Sequence, residues 1–134
     1  MKGRPGIDVR RTGGIRGRPG QTEAMQKLSL DARARELLKR AADGSAGRSA
    51  ETVFGGHEHR LRQTVIALTA GNSLAEHDSP GEATVHVLSG RVRLTSGDDS
   101  WEGRDGDLII IPPARHSLLA IDDSAVLLTV CTRD

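Results

Sequence analysis

A chain of 134 residues with 36% hydrophobic and 28% charged content suits one soluble globular domain with room for a core. No apolar run approaches the ~18 residues that span a bilayer, and no apolar stretch follows the basic N-terminus as in a secretory signal. The net charge of +1 divides into +4 over residues 1–24 and −3 beyond, and Phe54 and Trp101 are the only aromatics, so the body offers no stacking platform for nucleic acid.

Residues 1–24 hold six glycines and two prolines without hydrophobic periodicity and read as a disordered basic leader. Contact with nucleic acid or an anionic surface is expected only through this leader. Otherwise it is a dispensable extension, with Met25 as an alternative start.

Residues 25–50 read as an N-terminal helix and loop. Leu30, Ala34, Leu37, Leu38 and Ala41 recur at helical spacing, which predicts a helix over 30–42. Ser29 can cap its first amides, Asp31 suits the positive end of the dipole, and Lys39 and Arg40 suit the negative end. Gly44 is expected as a left-handed stop, with 44–48 a loop. The apolar stripe should pack on the outside of a barrel or on a partner subunit.

Residues 51–134 have the texture of a β domain. Strands are expected at 51–55, 60–69, 73–77, 83–88, 91–96, 99–102, 107–111, 117–121 and 124–131, separated by Gly-, Pro- and Asp-bearing turns. Val92 and Leu94 alternate with Arg91, Arg93 and Thr95, as on a strand with one wet face. Leu108–Ile111 and Val126–Leu128 are apolar on both faces and need cover on each side. The barrel interior together with a homodimer partner or the N-terminal helix would supply it. Cys131 ends an apolar run and is expected as a buried structural thiol; a lone cysteine is compatible with the cytoplasm.

Two glycine-anchored blocks carry most of the information. The first runs from Gly71 through His77 and Pro80-Gly81 to Gly90, the second from Gly106 through Pro112 to His116. Together they resemble the paired motifs of the cupin superfamily, over roughly residues 60–131. The resemblance implies an all-β fold, a small antiparallel cupin-type β-barrel (jelly roll), here with one N-terminal α-helix. It also implies a barrel that often holds a metal, and it adds to the expectation of a homodimer.

The ligand positions of that pattern are incompletely kept. Gly71, His77 and Gly90 fit its spacing, but the second histidine position holds Ser79 and the glutamate position Ala83. Glu82 is one residue off, which turns it to the opposite sheet face unless the strand bulges. In the second block Ala114 replaces a glycine and His116 comes one residue early. The shortened turn either re-aims that imidazole inward or leaves it at the rim.

A divalent metal wants at least three protein ligands. The set implied by the resemblance is His77 and His116, completed by Glu82, His86 or the pair His57 and His59. His86 alternatively lies on the barrel's other face, and His57-Glu58-His59 alternatively is a solvated strand start. Gln63, Ser79, Trp101 and Arg115 are candidates to furnish a ligand pocket, with Arg62 beside Gln63. Trp101 could equally be hydrophobic cover, and Arg115 could be merely solvated.

No Gly-x-Ser-x-Gly elbow, phosphate-binding loop or Cys-x-x-Cys pair occurs in the chain. The favoured reading is a barrel that binds a small molecule, with a weak or non-standard site for one divalent metal and no assigned reaction. One alternative is a metal-dependent enzyme, dioxygenase- or isomerase-like, using His77 and His116. Another is a dimeric interaction module. Whether the protein is an enzyme stays open.

Overall fold

The computed structural model describes residues 25–77 and 81–132 and, within them, every side chain except that of His77. The expected leader over 1–24 and the pocket candidate Ser79 lie outside the described residues. Strands were expected from period-two alternation, and nine form among the described residues after one helix. They are α1 (Leu30–Asp43), β1 (Arg48–Phe54), β2 (Leu61–Leu68), β3 (Ser73–His77), β4 (Gly81–Ser89), β5 (Arg91–Ser96), β6 (Asp99–Arg104), β7 (Leu108–Ile110), β8 (His116–Ala120) and β9 (Ser124–Thr132).

Two antiparallel sheets face each other as a jelly roll, in the orders β1-β2-β9-β4-β7 and β3-β8-β5-β6. Alternation along the strands fills the space between them. Ala83, Val85 and Val87 of β4 turn inward to meet Val92 and Leu94 of β5, Leu118 and Ala120 of β8, and Val126 and Val130 of β9. Each fully buried valine or leucine contributes roughly 1.5–3 kcal/mol relative to exposure, so this layer holds the two sheets together.

The helix covers part of the outside. Ser29 Oγ accepts the Ala32 amide at 3.1 Å, and the stripe Ala34, Leu37 and Ala41 is buried. Leu37 and Ala41 pack on Val65, Ala67 and Leu127, the outward residues of β2 and β9. Ser49 Oγ ties β1 to the helix by donating to the Leu37 carbonyl at 2.7 Å.

Three expectations are corrected. Gly44 is not left-handed: with φ −94° and ψ 160° it leaves the helix extended, its N–H still bonding the Arg40 carbonyl at 3.0 Å. The positive φ falls at Gly47 (+70°), where the chain turns into β1 and an added Cβ would strike the side chains of Asn72 and Thr69. That strand begins at Arg48 rather than 51, because Arg48 to Ala50 already pair with Leu68 to Ile66. Cys131 is exposed, since the parity that turns Val130 into the core turns Cys131 outward. β7 is covered on one of its two apolar faces. Ile109 and Ile111 enter the core, but Leu108 and Ile110 are 59% and 68% exposed, and nothing among the described residues covers them.

Candidate functional site

The loop Pro112–Arg115 decides where the last motif histidine points. The Ala114 amide bonds the Pro112 carbonyl at 2.8 Å, a tight turn that brings the chain into β8 at His116. From there the inward positions of β8 are His116, Leu118 and Ala120, all buried, while Ser117 between them is half-buried. The one-residue shortening therefore re-aims the imidazole inward. His116, at 5% exposure, and Ser124, at 1%, are the buried polar residues among the described residues.

His116 borders a cavity between the sheets of about 20 Å³, lined otherwise by Ile66, Leu74, Val85, Leu94, Ile111, Leu118, Val126 and Leu128. That is room for about one water, whose needs begin near ~10–15 Å³. Leu74 and Leu128 are only partly buried, so the cavity approaches solvent beside them. His116 Nδ1 lies 2.9 Å from the Ala114 carbonyl oxygen. A carbonyl only accepts, so Nδ1 carries the hydrogen in the neutral ring and Nε2 carries the lone pair. The site thus sets one imidazole ring in an otherwise apolar wall.

The other histidine and carboxylate candidates do not converge there. His77 ends β3 and is the Cα partner of His116 across the β3–β8 ladder, with a register shift between Leu74 and His77. Its side chain lies outside the described residues. Glu82 and His86 occupy the outward positions of β4, and Ala83 projects a methyl into the core where the family pattern has its glutamate. No bulge slips β4 against its partners over residues 82–87. His57 and His59 sit exposed in the turn between β1 and β2, not on one strand face, and His59 packs edge-on against Phe54 at 5.1 Å. Among the described residues no group of three or more His, Cys, Asp or Glu side chains could hold a metal ion. The described donors therefore do not fit a three-ligand centre.

The described pocket candidates are elsewhere too. Gln63 faces outward, donating from Nε2 to Thr129 Oγ1 at 3.1 Å on the outer sheet surface. Trp101, 47% exposed, lies on the edge strand β6 opposite Leu94 and is not part of the cavity wall. Arg115 points to solvent, 3.6 Å from Glu76, while its carbonyl accepts Ser96 Oγ at 2.8 Å. Arg62 is exposed at the start of β2. What sequence reasoning missed is the wall itself. Its signal was present in the alternate apolar positions of β4, β5, β8 and β9, which read as core before any cavity within it was visible.

A second cleft at the other end of β5, between Arg91, Arg104, Asp105 and Asp122, is charge-balanced, with Arg91 Nε 3.8 Å from Asp122. On the outer face of the second sheet, the hydrogen bond from Arg93 holds the Glu102 carboxyl below its usual range.

A family profile for the cupin domain matches residues 64–131. Among solved structures, a conserved protein of unknown function from Streptococcus pyogenes is 27% identical, with 68% of this chain and 79% of that one covered at a TM-score of 0.61. A cupin superfamily protein from Desulfitobacterium hafniense is 15% identical over 64% of this chain and 78% of its own, with a TM-score of 0.59. Salicylate 1,2-dioxygenase from Pseudoaminobacter salicylatoxidans is 20% identical over 75% of this chain but 31% of its own, with a TM-score of 0.62. No curated protein matches the sequence.

Proposed function

The chain belongs to the cupin domain family, and from that premise we propose that it binds a small, mostly apolar molecule at the mouth of its barrel, where the His116 imidazole is the polar group of the wall. The observation that supports this reading is the burial of one imidazole in an otherwise apolar wall. A buried polar group is costly unless something bonds it, and the Ala114 carbonyl is one partner of this ring. Small-molecule sites have this character: apolar lining with few polar groups that fix orientation. Because the folded cavity has room for about one water, the ligand lies over its opening by Leu74 and Leu128 or parts those side chains on entry. A flat or slender molecule, apolar over most of its surface and carrying one polar group, matches that wall.

A second reading, a weak divalent-metal site, has one observation in its favour. Metal-ligating histidines typically donate their other ring N–H to a carbonyl or carboxylate, and His116 Nδ1 does so to Ala114. The described residues supply that one ligand in the cavity, so further ligands would have to come from His77 or residues 78–80. No reaction step is derived through a metal. A dioxygenase shares the fold, but its activity belongs to that protein.

Thermal-shift screening of the full chain against small aromatic and aliphatic alcohols and acids tests the first reading, since a ligand of the folded state raises the melting temperature by mass action. His116→Leu should lose the shift for every ligand that stabilises the wild type. Its own stability should stay within about 1 kcal/mol, because the leucine suits the apolar wall. Shifts unchanged in H116L would refute the assignment. Elemental analysis of untagged protein after incubation with Fe²⁺, Mn²⁺, Ni²⁺ or Zn²⁺ tests the second reading. Metal retained at one equivalent and lost in H116L would favour it; none retained would dismiss it.

A further inference from the structure

The cleft at the start of β5 sets two like charges side by side. Arg91 and Arg104 are Cα partners in the β5–β6 ladder, and both line an open cleft of about 440 Å³ with Gly90, Asp105 and Asp122. Like charges directly opposite on a ladder cost stability unless something answers them. The carboxylates around them do so only in part. Glu102, two residues before Arg104 on the same face, is held by Arg93 at 2.6 Å. Asp105 accepts the Gly90 amide at 2.7 Å through Oδ1. Asp122 stands 3.8 Å from Arg91 Nε, beyond a hydrogen bond, and that nitrogen is enclosed without any hydrogen-bond partner among the described residues. Arg104 makes no ion pair among them. An enclosed donor without a bond is a costly feature that a bound acceptor would relieve.

We propose that this cleft binds a small zwitterion of the α-amino acid class, its carboxylate at the Arg91 and Arg104 guanidiniums and its ammonium at Asp122. Two guanidiniums on facing strands suit a carboxylate, because each offers a planar fork of N–H donors. The cleft as a whole is charge-balanced, two arginines against two aspartates. That balance disfavours a phosphate dianion and favours a ligand that carries both signs. Asp122 is the acid placed to take the positive end, since its carboxyl is 64% exposed while Asp105 is engaged by the Gly90 amide. The backbone beneath is fixed before anything binds. The Arg91 carbonyl accepts the amides of Ile121 and Asp122 at 2.8 and 3.2 Å, and the Arg91 amide donates to Ser124 Oγ at 2.9 Å. Asp107 holds Arg104, with Oδ2 accepting its amide at 2.9 Å and the Asp107 amide donating to its carbonyl at 2.8 Å. Groups carried on such a frame lose little freedom on binding. A cleft of this volume also has room for an amino acid side chain. No residue lines both this cleft and the His116 cavity, so the proposal does not depend on the ligand reading above.

Arginine Nε–Hε NMR spectra of the full chain, titrated with L-alanine, L-serine and L-leucine, test this. The Arg91 and Arg104 signals should move and saturate with a Kd on the order of 1 mM for at least one of the three. Acetate and methylammonium, which each carry half of the zwitterion, and inorganic phosphate should bind roughly tenfold more weakly or worse. No saturable shift with any of the amino acids overturns the proposal. So does acetate or phosphate binding as tightly as the best amino acid. Arg91→Gln and Arg104→Gln should each weaken that amino acid by about tenfold through the loss of one charge-assisted contact. Asp122→Asn should weaken it similarly and leave acetate unchanged or tighter. A D122N variant that binds the amino acid as the wild type does overturns the ammonium assignment. If R91Q does not fold, R104Q and D122N still decide, since both side chains are exposed. Shifts of the His116 imidazole with none at the two arginines would put the amino acid in the barrel, which overturns the cleft and leaves the ligand reading standing.

Discussion

At Gly90 one missing carbon closes the barrel. Its φ is +97°, and an added Cβ would run into the Asp123 carbonyl and the Ser124 hydroxyl. That hydroxyl accepts the Arg91 amide at 2.9 Å and donates toward the Arg91 and Asp122 carbonyls, tying the β4–β5 hairpin to the start of β9. Gly90→Ala should therefore destabilise by about 2 kcal/mol or more in urea unfolding, through backbone strain and the clash together. A change under half of that would deny the close approach. The motif spacing flagged this glycine, but only the packing says what it does. His116 is the converse case. Its spacing was one residue short, and whether the ring faced in or out depended on the geometry of a four-residue loop that no periodicity encodes. Glu102 offers a simpler check. Its carboxyl is held below the usual range chiefly by the Arg93 hydrogen bond, against a small opposing effect of desolvation. A lowered folded value means a contribution present above the ordinary carboxylate range and lost as pH falls through the folded value. Arg93→Ala should raise the Glu102 titration midpoint toward the ordinary range by carboxyl-carbon NMR; an unmoved midpoint would remove Arg93 as the cause.

Among the elements, the helix and the strands were legible because alternation and capping are local. Ser29, Ala34, Leu37 and Ala41 gave α1 its start and its buried face, and the period-two stretches gave β1 to β9 with displaced ends. The helix exit and the start of β1 were not legible. Which glycine turns left-handed depends on what Gly47 meets across the barrel end, at Asn72 and Thr69. The exposure of Cys131 was likewise hidden, since one residue of register decides a side chain's face. Leu37, 0% exposed beneath the helix, is the test of how much α1 contributes. Leu37→Ala should cost about 3 kcal/mol through lost burial and the cavity left behind. Ser29→Ala should cost about 1 kcal/mol through the lost cap. Equal losses in the two variants would mean that α1 is held by its cap and not by the sheet.

For the whole molecule, the family and its container were readable from Gly71, Gly90, Gly106 and Pro112, while the contents were not. Of the residues proposed to line the pocket, Gln63 and Arg115 lie on the surface, Trp101 shares the inward face of Leu94 but is 47% exposed on the edge strand and outside the cavity wall, and Ser79 lies outside the described residues; apolar strand positions form the wall instead. One family position that would carry a ligand holds Ala83, buried in the core, and the described cavity contains no carboxylate. The proposed binding then rests on a single ring, whose Nδ1 lies beside the Ala114 carbonyl. A long-range proton–nitrogen NMR spectrum of the imidazoles at neutral pH reads the ring's protonation directly. The account predicts that neutral His116 carries its hydrogen on Nδ1, and that its Nε2 resonance moves when a ligand that stabilises the protein is added. A hydrogen on Nε2, or a His116 signal indifferent to every such ligand, would contradict it.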